Sequence, residues 1–433
     1  MAEILPLRPW RYNHALDSEI DSLVSPLFDV VSEKQREALY RNPLNSIHLS
    51  VPRDADADGA AHMFNEWKKN GTVSRDRVFG IYVYYQYFSL PGSSREHCRK
   101  GFITHIRVHE WNDRVILRHE NTIPDAVNDR IELLEKTKLH ASATHGLYTD
   151  SEQELEKYMD LAIADPIYET EDYQGVRDVL AVIHDAVIVQ RFIDVIAPQQ
   201  IILADGHHRY EGSIQYYLKQ KALNAQHTGK EGYNYHLMYL TNTAGEDLQI
   251  LPTHRVIRQL PDLDEKLLLA KLAEFFSIRP VEDVHTLNEV ITGKQWTFGL
   301  IFPENAYKIT LKPEMFPSLS WPFPDLIKKL DLTVMHYFII EKALGIPGKQ
   351  QRKSHNIDFD RSFSDCLKRV IQHDAQLAII TNEVTIEDVR RVCASGYTMP
   401  QKSTYFYPKV IGGFLFSSIN EEDFKAPAYA PFQ

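Results

Sequence analysis

The chain has 433 residues, of which 43% are hydrophobic and 25% are charged, and its formal net charge is −11. This length exceeds that of one small domain, so we expect two or three domains with sizeable cores. The acidic balance argues against a nucleic-acid-binding protein, because affinity for nucleic acid depends on neutralising phosphates. Three cysteines without a CxxC pair, no apolar signal sequence and no apolar run of membrane-spanning length predict a cytoplasmic protein without membrane association.

The N-terminal third contains a predicted antiparallel meander. Residues 78–88 and 101–111 are rich in β-branched and aromatic side chains, which is typical of strands. Asn112 and Asp113 form the pattern of a tight hairpin turn into a third strand at residues 114–120. We therefore expect three consecutive strands that pair with their neighbours in sequence.

Helical and strand patterns alternate through the rest of the chain. Helices are predicted at residues 125–138, after residue 206, at 324–346 and at 385–396, and strands at 233–242, 248–251, 295–302, 306–312 and 375–381. The two strands around Pro303 are expected to form a hairpin. Because strands and helices intermix throughout, the predicted fold class is α/β, of mixed α+β character.

The segment LADGHHRYEG, residues 203–212, combines a turn with several chemically capable side chains. Its polar members are Asp205, Gly206, His207, His208 and Arg209. A strand, a glycine turn and a helix in this order leave free N–H groups at the positive end of the helix dipole, a site that binds phosphate. Arg209 would clamp phosphate oxygens, a histidine would donate or transfer a proton, and Asp205 would cap the helix, or hold a histidine or a metal. The alternative is a capped helix with two solvated histidines.

Two further polar motifs lie at predicted strand ends. In HENT, Glu120 is a candidate general base with His119 as its partner, and the alternative is an exposed strand end. In LPTHRVI, the residues Thr253, His254 and Arg255 form a second group suited to anions, and the alternative is an ordinary polar loop.

The segment MPQKSTYFYPK, residues 399–409, offers a cation and two hydroxyl groups in Lys402, Ser403 and Thr404. The three aromatic residues that follow would stack on a flat ring such as a nucleobase, or would instead be core residues of a strand. No Walker loop, HExxH, zinc-type Cys/His spacing, GxSxG or GxGxxG occurs. These absences argue against a zinc protease, an α/β-hydrolase and a Rossmann dehydrogenase.

The motifs ILRHENT, LADGHHRYEGS, LPTHRVI and MPQKSTYFYPK, in this order, resemble the bacterial and archaeal domain-of-unknown-function family DUF1015. NPLNSI, DRIELL and LDLTVMHYFIIEKALGI also resemble it, so the resemblance covers nearly the whole chain. One departure occurs in SPLFDV, residues 25–30, where the family usually has Ser-Pro-Pro-Tyr-Asp-Val. Phe28 therefore lacks the hydroxyl of the family's tyrosine, whereas Asp29 is retained.

The DGHHR motif is also similar to that of the ParB/sulfiredoxin-like superfamily, whose free-serine kinases pair a His-Glu stretch with a later Asp-Gly-His-His-Arg. This resemblance implies a ParB/sulfiredoxin-like core in residues 111–260, an N-terminal α/β region in residues 1–110 and a C-terminal α/β region in residues 261–433. It also implies that Glu120 deprotonates a substrate hydroxyl while the DGHHR turn holds the transferring phosphate.

The function that the resemblance implies is phosphotransfer to a small hydroxylated metabolite, specifically by a free L-serine kinase that uses Mg²⁺ and ATP or ADP. The implied catalytic residues are Glu120, His207, His208 and Asp205. The phosphate or nucleotide contacts are Gly206, Arg209, Thr253, His254, Arg255, Lys402, Ser403 and Thr404. The substrate contacts are His119, Arg130 and Asp29.

Two alternatives remain open at this stage. The same site would serve a phosphoserine phosphatase, in which a histidine of DGHHR acts as nucleophile or acid. A nucleotide-sensing module or DNA partner is the other alternative, although the acidic charge argues against it. The sequence leaves open the oligomeric state and the separate roles of His207 and His208.

Overall fold

The computed structural model describes residues 1–27, 31–90, 93–400 and 402–424, and it has the predicted mixed α/β class. The chain forms two compact units. The first comprises Met1–Arg118, Thr122–Gln249 and Pro408–Gln433, and the second comprises His119–Asn121 and Ile250–Tyr407. These borders differ from the predicted ones at residues 110 and 260, because the C-terminal segment returns to the first unit. No helix in the described ranges is both long enough and apolar enough to cross a membrane.

The described residues form 21 strands. They are β1 (Ile4–Leu5), β2 (Trp10–Tyr12), β3 (Val73–Arg75), β4 (Ile81–Ser89), β5 (Glu96–Arg107), β6 (Ile116–Arg118), β7 (Leu139–His140), β8 (Thr144–Tyr148), β9 (Tyr168–Glu171), β10 (Arg177–Ile183), β11 (Ile201–Asp205), β12 (Tyr235–Asn242), β13 (Gln249–Leu251), β14 (His254–Ile257), β15 (Phe276–Val281), β16 (Thr297–Ile301), β17 (Ala306–Leu311), β18 (Ile357–Asp360), β19 (Leu377–Ile380), β20 (Tyr405–Tyr407) and β21 (Ser417–Ser418).

The α-helices are α1 (Ile20–Leu23), α2 (Glu33–Leu39), α3 (Ile47–Ser50), α4 (Ala57–Asn70), α5 (Pro124–Thr137), α6 (Glu156–Ala162), α7 (Ala186–Ile196), α8 (His207–Leu223), α9 (Glu265–Phe275), α10 (Leu287–Ile291), α11 (Asp325–Lys328), α12 (Asp331–Val334), α13 (Gly348–Gln351), α14 (Phe363–Ile371) and α15 (Ile386–Ser395). A π-helical segment, Met335–Ala343, continues α12. The predicted helical character of residues 324–346 is confirmed, but the helix is not continuous, because Leu330, with extended backbone, separates α11 from α12.

The first unit is built on a nine-stranded mixed sheet with the order β6-β11-β8-β12-β5-β4-β10-β9, and β1 pairs with β5. Both faces of this sheet are covered. On β4, Ile81, Val83 and Tyr85 belong to one hydrophobic cluster, whereas Tyr82 and Tyr84 belong to another on the opposite face. Successive side chains of a strand point to opposite faces, so burial of both faces explains the nearly unbroken apolar sequence of β4.

The predicted meander is correct for its first two strands and wrong for the third. β4 and β5 are antiparallel neighbours, but β6 pairs in parallel with β11 at the edge of the sheet. Between β5 and β6, Trp111–Asp113 form a 3-10 turn that ends at Arg114 with a φ of 54°. Glu110 and Asp113 each accept a backbone N–H from the other, so this turn replaces the expected hairpin.

The second unit contains a six-stranded antiparallel sheet with the order β15-β17-β16-β19-β14-β18. The predicted hairpin around Pro303 is confirmed, with Ile301 paired to Ala306. Cys366 and Val370 of α14 pack with Val256 of β14 in the core of this unit. The central position of β14 determines the environment of the PTHR motif.

Candidate functional site

The DGHHR motif forms the predicted strand, turn and helix. β11 ends at Asp205, Gly206 follows with a φ of 89°, and the 17-residue helix α8 begins at His207. A Cβ atom on Gly206 would lie 2.5 Å from Cγ2 of Thr144, so the turn needs glycine for its conformation and for space. The N-cap residue, Gly206, has no side chain with which to cap α8. The first backbone N–H groups of α8 are therefore suited to an anion.

Asp205 forms ion pairs and does not cap the helix, so the expectation of a cap is wrong. Its Oδ2 accepts a hydrogen bond from Arg209 Nη2 at 3.2 Å, and its Oδ1 accepts one from Nζ of Lys409. Arg209 also donates to Oγ of Ser142 and to the carbonyl of Ala143. Burial works to raise the pKa of Asp205, but the charges of Lys409 and Arg209 hold it below its usual value. The carboxyl group is thus ionised at neutral pH.

Arg99, on β5, adds a cation that the sequence did not single out. Its side chain is only 2% exposed, and Nη2 donates to Oε1 of Gln86 and to the carbonyl of Pro408. Nε and Nη1 have no hydrogen-bond partner within the described ranges. Buried donors without partners are costly, so such a guanidinium favours an anionic ligand.

Arg99, His145, Asp205, Arg209 and Lys409 form one group, the Asp205 cluster. Burial lowers the pKa of His145 well below its usual value, and the charges of Arg99 and Lys409 lower it further. His145 is therefore neutral, and it shares a hydrogen bond of 2.7 Å with Thr241. Two cations, Arg209 and Lys409, pair with the ionised Asp205, and Arg99 adds positive charge beside His145, so the cluster has a surplus of positive charge, as an anion-binding site requires.

His207 is buried and His208 is only partly exposed, so the alternative of two solvated histidines is wrong for His207. His207 is buried at the start of α8. Nε2 of His208 accepts a hydrogen bond of 3.0 Å from the backbone N–H of Ile123, the residue that precedes α5. This bond places the His208 proton on Nδ1 and ties the motif to α5.

The predicted substrate contacts have different outcomes. Arg130, on α5, donates through Nη1 to the carbonyl of Ser50 at 2.8 Å and pairs with Asp129. Phe28 and Asp29 lie outside the described residues, so the consequence of the missing hydroxyl stays a prediction. His119 belongs to the second unit.

HENT contacts the KST segment inside the second unit. Oε1 of Glu120 accepts a hydrogen bond of 3.1 Å from the backbone N–H of Ser403, and Nε2 of His119 lies 2.7 Å from Oγ1 of Thr404. His119 is fully buried, so the alternative of an exposed strand end is wrong. We call His119, Glu120, Ser403, Thr404 and the neighbouring Arg255 the Glu120 cluster.

Arg255 is fully buried and hydrogen-bonds neutral groups. It donates to the carbonyl of Thr253 and, through Nη2, to Nε2 of His336 at 3.1 Å. Its Nε has no partner within the described part of the chain. Burial lowers the pKa of Arg255 to about 9, against the charge of Glu120, which raises it. The guanidinium therefore remains charged at neutral pH and stabilises the Glu120 carboxylate.

His254 and Arg255 lie within strand β14, so the prediction of a polar group at a strand end is wrong for them. Nδ1 of His254 accepts a hydrogen bond of 3.3 Å from the backbone N–H of Thr381, and burial lowers the pKa of His254 to about 4. A neutral, buried ring of this kind is a poor ligand for an anion. The backbone pairing of β14 with β18 and β19, which brings these side chains into the core, leaves no local sequence signal.

Lys402 and the aromatic residues that follow it have separate environments. Nζ of Lys402 lies 4.8 Å from the ring centre of Phe359, and Arg255 approaches the same ring. Phe406 is buried, as the core alternative predicts, whereas Arg361 covers the ring of Tyr405 at 3.7 Å. Arg361 thus occupies a face of Tyr405 that was expected to stack on a nucleobase.

The second unit also contains a pocket of about 880 Å³, whose walls include Trp321, Phe323, His336 and Phe359. Trp321 donates through its indole N–H to Glu341 at 3.1 Å, which fixes the orientation of the ring. A volume of this size and several aromatic walls are typical of sites for a flat organic ligand. These residues were not predicted from the sequence, because single aromatic residues in loops and strands do not form a recognisable motif.

The described residues do not fit a metal site built by the protein alone. Within those ranges, no three His, Cys, Asp or Glu side chains converge as a set of ligands, and Asp205 is already paired with two cations. Mg²⁺ is often bound through substrate phosphates with few protein carboxylates. The predicted Mg²⁺ would therefore have to be held chiefly by nucleotide phosphates.

Comparisons with known proteins give one family and several distant structures. Residues 4–333 match the sequence profile described as "Protein of unknown function (DUF1015)". A free serine kinase variant in complex with AMP is 12% identical, with a TM-score of 0.38, over 74% of this chain and 93% of that chain. A conserved hypothetical protein from Pyrococcus furiosus is 14% identical, with a TM-score of 0.37, over 75% and 97%. No curated protein matches the chain.

Proposed function

The chain belongs to the DUF1015 family of proteins of unknown function, and we propose that this member transfers a phosphoryl group from a nucleotide to a small hydroxylated metabolite. The specific acceptor that we propose is L-serine, with ATP or ADP as the donor. The observation that carries the proposal is the surplus of positive charge in the Asp205 cluster, which includes Arg209 in the first turn of α8.

A phosphate group satisfies each unusual feature of the Asp205 cluster. Its oxygens would accept hydrogen bonds from Nε and Nη1 of Arg99 and from the first N–H groups of α8. Lys409 and Arg209 supply further charge, and Asp205 holds both side chains in position. Phosphoryl transfer depends mainly on positioning and on neutralising negative charge, which are the two properties that this cluster offers.

The second unit supplies features that suit a base and a nucleotide. Glu120 stays the proposed general base, and the N–H of Ser403 orients its carboxylate. The pocket with Trp321, Phe323 and Phe359 has the volume and the aromatic walls that a nucleobase requires. These features support nucleotide-dependent transfer without assigning Mg²⁺ to any residue of the chain.

Phosphorus NMR on the purified protein tests the proposal. One sample contains L-serine, Mg²⁺ and ATP or ADP, and the other contains phosphoserine and Mg²⁺ alone. We expect phosphoserine to form in the first sample. Free phosphate in the second sample alone would instead establish the phosphatase, and silence in both would overturn phosphotransfer to serine.

We predict that Glu120→Gln reduces turnover by about 100-fold or more, because an amide cannot accept the hydroxyl proton. Binding of nucleotide, measured by calorimetry, should change little. Glu282→Gln is the matched control, since Glu282 is an exposed carboxylate of the same unit. Unchanged turnover in Glu120→Gln would remove Glu120 from the role of base.

A further inference from the structure

A small polar pocket of about 50 Å³ lies in the first unit and shares Arg209 with the Asp205 cluster. Its polar walls include Ser50, Arg130, His140, Ser142, Arg209 and His236. A space of this size accepts the polar end of a small molecule or a few waters, but not a nucleobase or a sugar ring. The pocket therefore selects its ligand by chemistry at one end.

Two guanidinium groups line this pocket in fixed positions. Arg130 is held by its bond to the carbonyl of Ser50, and Arg209 is held by Ser142. Arg130 also pairs with the carboxylate of Asp129, and Arg209 pairs with that of Asp205. Two arginines favour a carboxylate on the ligand, whereas their existing partners limit the net positive charge. These properties suit a ligand that contains a carboxylate but is neutral as a whole.

His140 supplies an acceptor for the opposite end of such a ligand. The residue is 7% exposed, and its Nε2 has no hydrogen-bond partner in the described part of the chain. Burial lowers the pKa of His140 to about 4, although a hydrogen bond to the backbone of Tyr235 raises it. Since that bond requires an N–H of the ring, the proton lies on Nδ1 and Nε2 presents a lone pair. The hydroxyl of Ser50 is a second buried polar atom without a partner.

We propose that this pocket binds the carboxylate and ammonium groups of an α-amino acid. The carboxylate accepts hydrogen bonds from Arg130 and Arg209, and the ammonium donates to Nε2 of His140 and to Oγ of Ser50. A hydroxy acid such as glycerate can donate only one hydrogen bond from its α-hydroxyl, so it would leave one of these atoms unsatisfied, which is how a buried polar site rejects an analogue. The inference rests on the proposed function in one respect, since it specifies the acceptor as an amino acid.

Ligand-observed NMR and calorimetry without nucleotide test the pocket directly. The probes are L-serine, L-alanine without the hydroxyl, D-glycerate without the ammonium, and ethanolamine without the carboxylate. We expect L-serine and L-alanine to bind, and the other two to bind at least about tenfold more weakly. Equal binding of D-glycerate, or no binding by either amino acid, would overturn the inference.

His140→Phe keeps a ring in place and removes the acceptor, so we expect it to weaken L-serine binding by about tenfold or more. Binding of inorganic phosphate reports that the fold is intact and should persist. His184→Phe is the matched control, because His184 is an exposed histidine of the same unit. If His140→Phe does not fold, Arg130→Gln provides the second variant, with the same expected weakening.

The outcomes separate this inference from the proposed function. Amino-acid binding that depends on His140, without any phosphoserine in the NMR assay, supports the pocket and refutes serine phosphorylation. Phosphoserine formation with an unchanged KM for L-serine in His140→Phe and Arg130→Gln supports the kinase and refutes the pocket.

Discussion

At the scale of single residues, Arg99 constrains the ligand of the first unit most strongly. A buried guanidinium loses its hydration, and two of its nitrogen atoms recover no hydrogen bond from the described residues. The free protein therefore retains the free-energy cost of burying Arg99, and a bound anion would lower that cost. A buried charged group that lowers the stability of the free protein, and that is stabilised only when a ligand binds, is expected at a functional site.

We predict that Arg99→Met weakens the binding of inorganic phosphate by about 10- to 100-fold, as loss of a charged hydrogen-bonding group does. The midpoint of urea unfolding should change little, because removing an unpaired buried charge offsets the lost bonds to Gln86 and Pro408. Calorimetry and urea titration measure the two effects. Arg191→Met, at an exposed ion pair, is the control for both. Severe destabilisation with unchanged phosphate affinity would identify Arg99 as purely structural.

The sequence predicted local parts of both clusters and missed the distant ones. Gly206 and Arg209 are evident within one motif, because the turn and the helix start are local features. Arg99 reaches the Asp205 cluster from β5, and Lys409 reaches it from the C-terminal segment. Both contacts depend on strand order and chain return, which leave no periodic pattern in the sequence.

At the scale of elements, the turn between β11 and α8 determines the orientation of the first backbone N–H groups of α8, which we propose bind phosphate. The Gly206→Ala substitution adds a Cβ atom to a residue with a positive φ, and this atom would lie too close to Thr144. We predict that this variant is destabilised by about 1–3 kcal/mol in urea unfolding. It should also bind phosphate more weakly in calorimetry, because relief of the clash shifts the start of α8.

Gly175→Ala provides the matched control for this turn. Gly175 has a φ of 76°, and a Cβ atom there would meet nothing within 4 Å in the described structure. Its substitution has only the conformational cost of a positive φ, about 1 kcal/mol. Equal destabilisation by the two variants would show that the contact with Thr144 is unimportant.

Elements with strong local patterns were predicted better than elements whose partners are distant. The hairpin of β16 and β17 is confirmed, since a short loop between two strands determines their pairing. β6 was assigned the wrong neighbour because its three residues carry no register information. The residues of β14 were predicted to be a polar group at the end of a strand, because the sequence does not show that tertiary packing buries His254 and Arg255.

At the scale of the whole molecule, the alternating helical and strand patterns of the sequence predicted the mixed fold class. They did not predict how the chain divides into two compact units. The return of the chain to the first unit is visible in β21, which pairs two residues with β7. A pairing this short has no signature in sequence. The predicted borders therefore followed the order of motifs along the chain, whereas the compact units follow the packing.

Asp178 links the stability of the molecule to pH. Its carboxyl is 1% exposed and accepts hydrogen bonds from the hydroxyl of Tyr84 and from Nε2 of Gln86, the latter at 2.7 Å. Burial raises the pKa of Asp178 to about 7, although these two hydrogen bonds lower it. In the unfolded chain the ordinary value is 3.8. Between these values the folded state holds a proton that the unfolded state has released.

Stability must therefore fall as pH rises from about 4 to about 7, and Asp178 contributes no further change above that range. The full difference between the two pKa values corresponds to at most about 4 kcal/mol. We predict that urea unfolding of Asp178→Asn loses this part of the pH dependence, because the amide stays neutral and still accepts from Tyr84 and Gln86. Asp185→Asn, at the exposed cap of α7, is the control and should keep it. An identical pH dependence in wild type and Asp178→Asn would mean that folding does not raise the pKa of the Asp178 carboxyl.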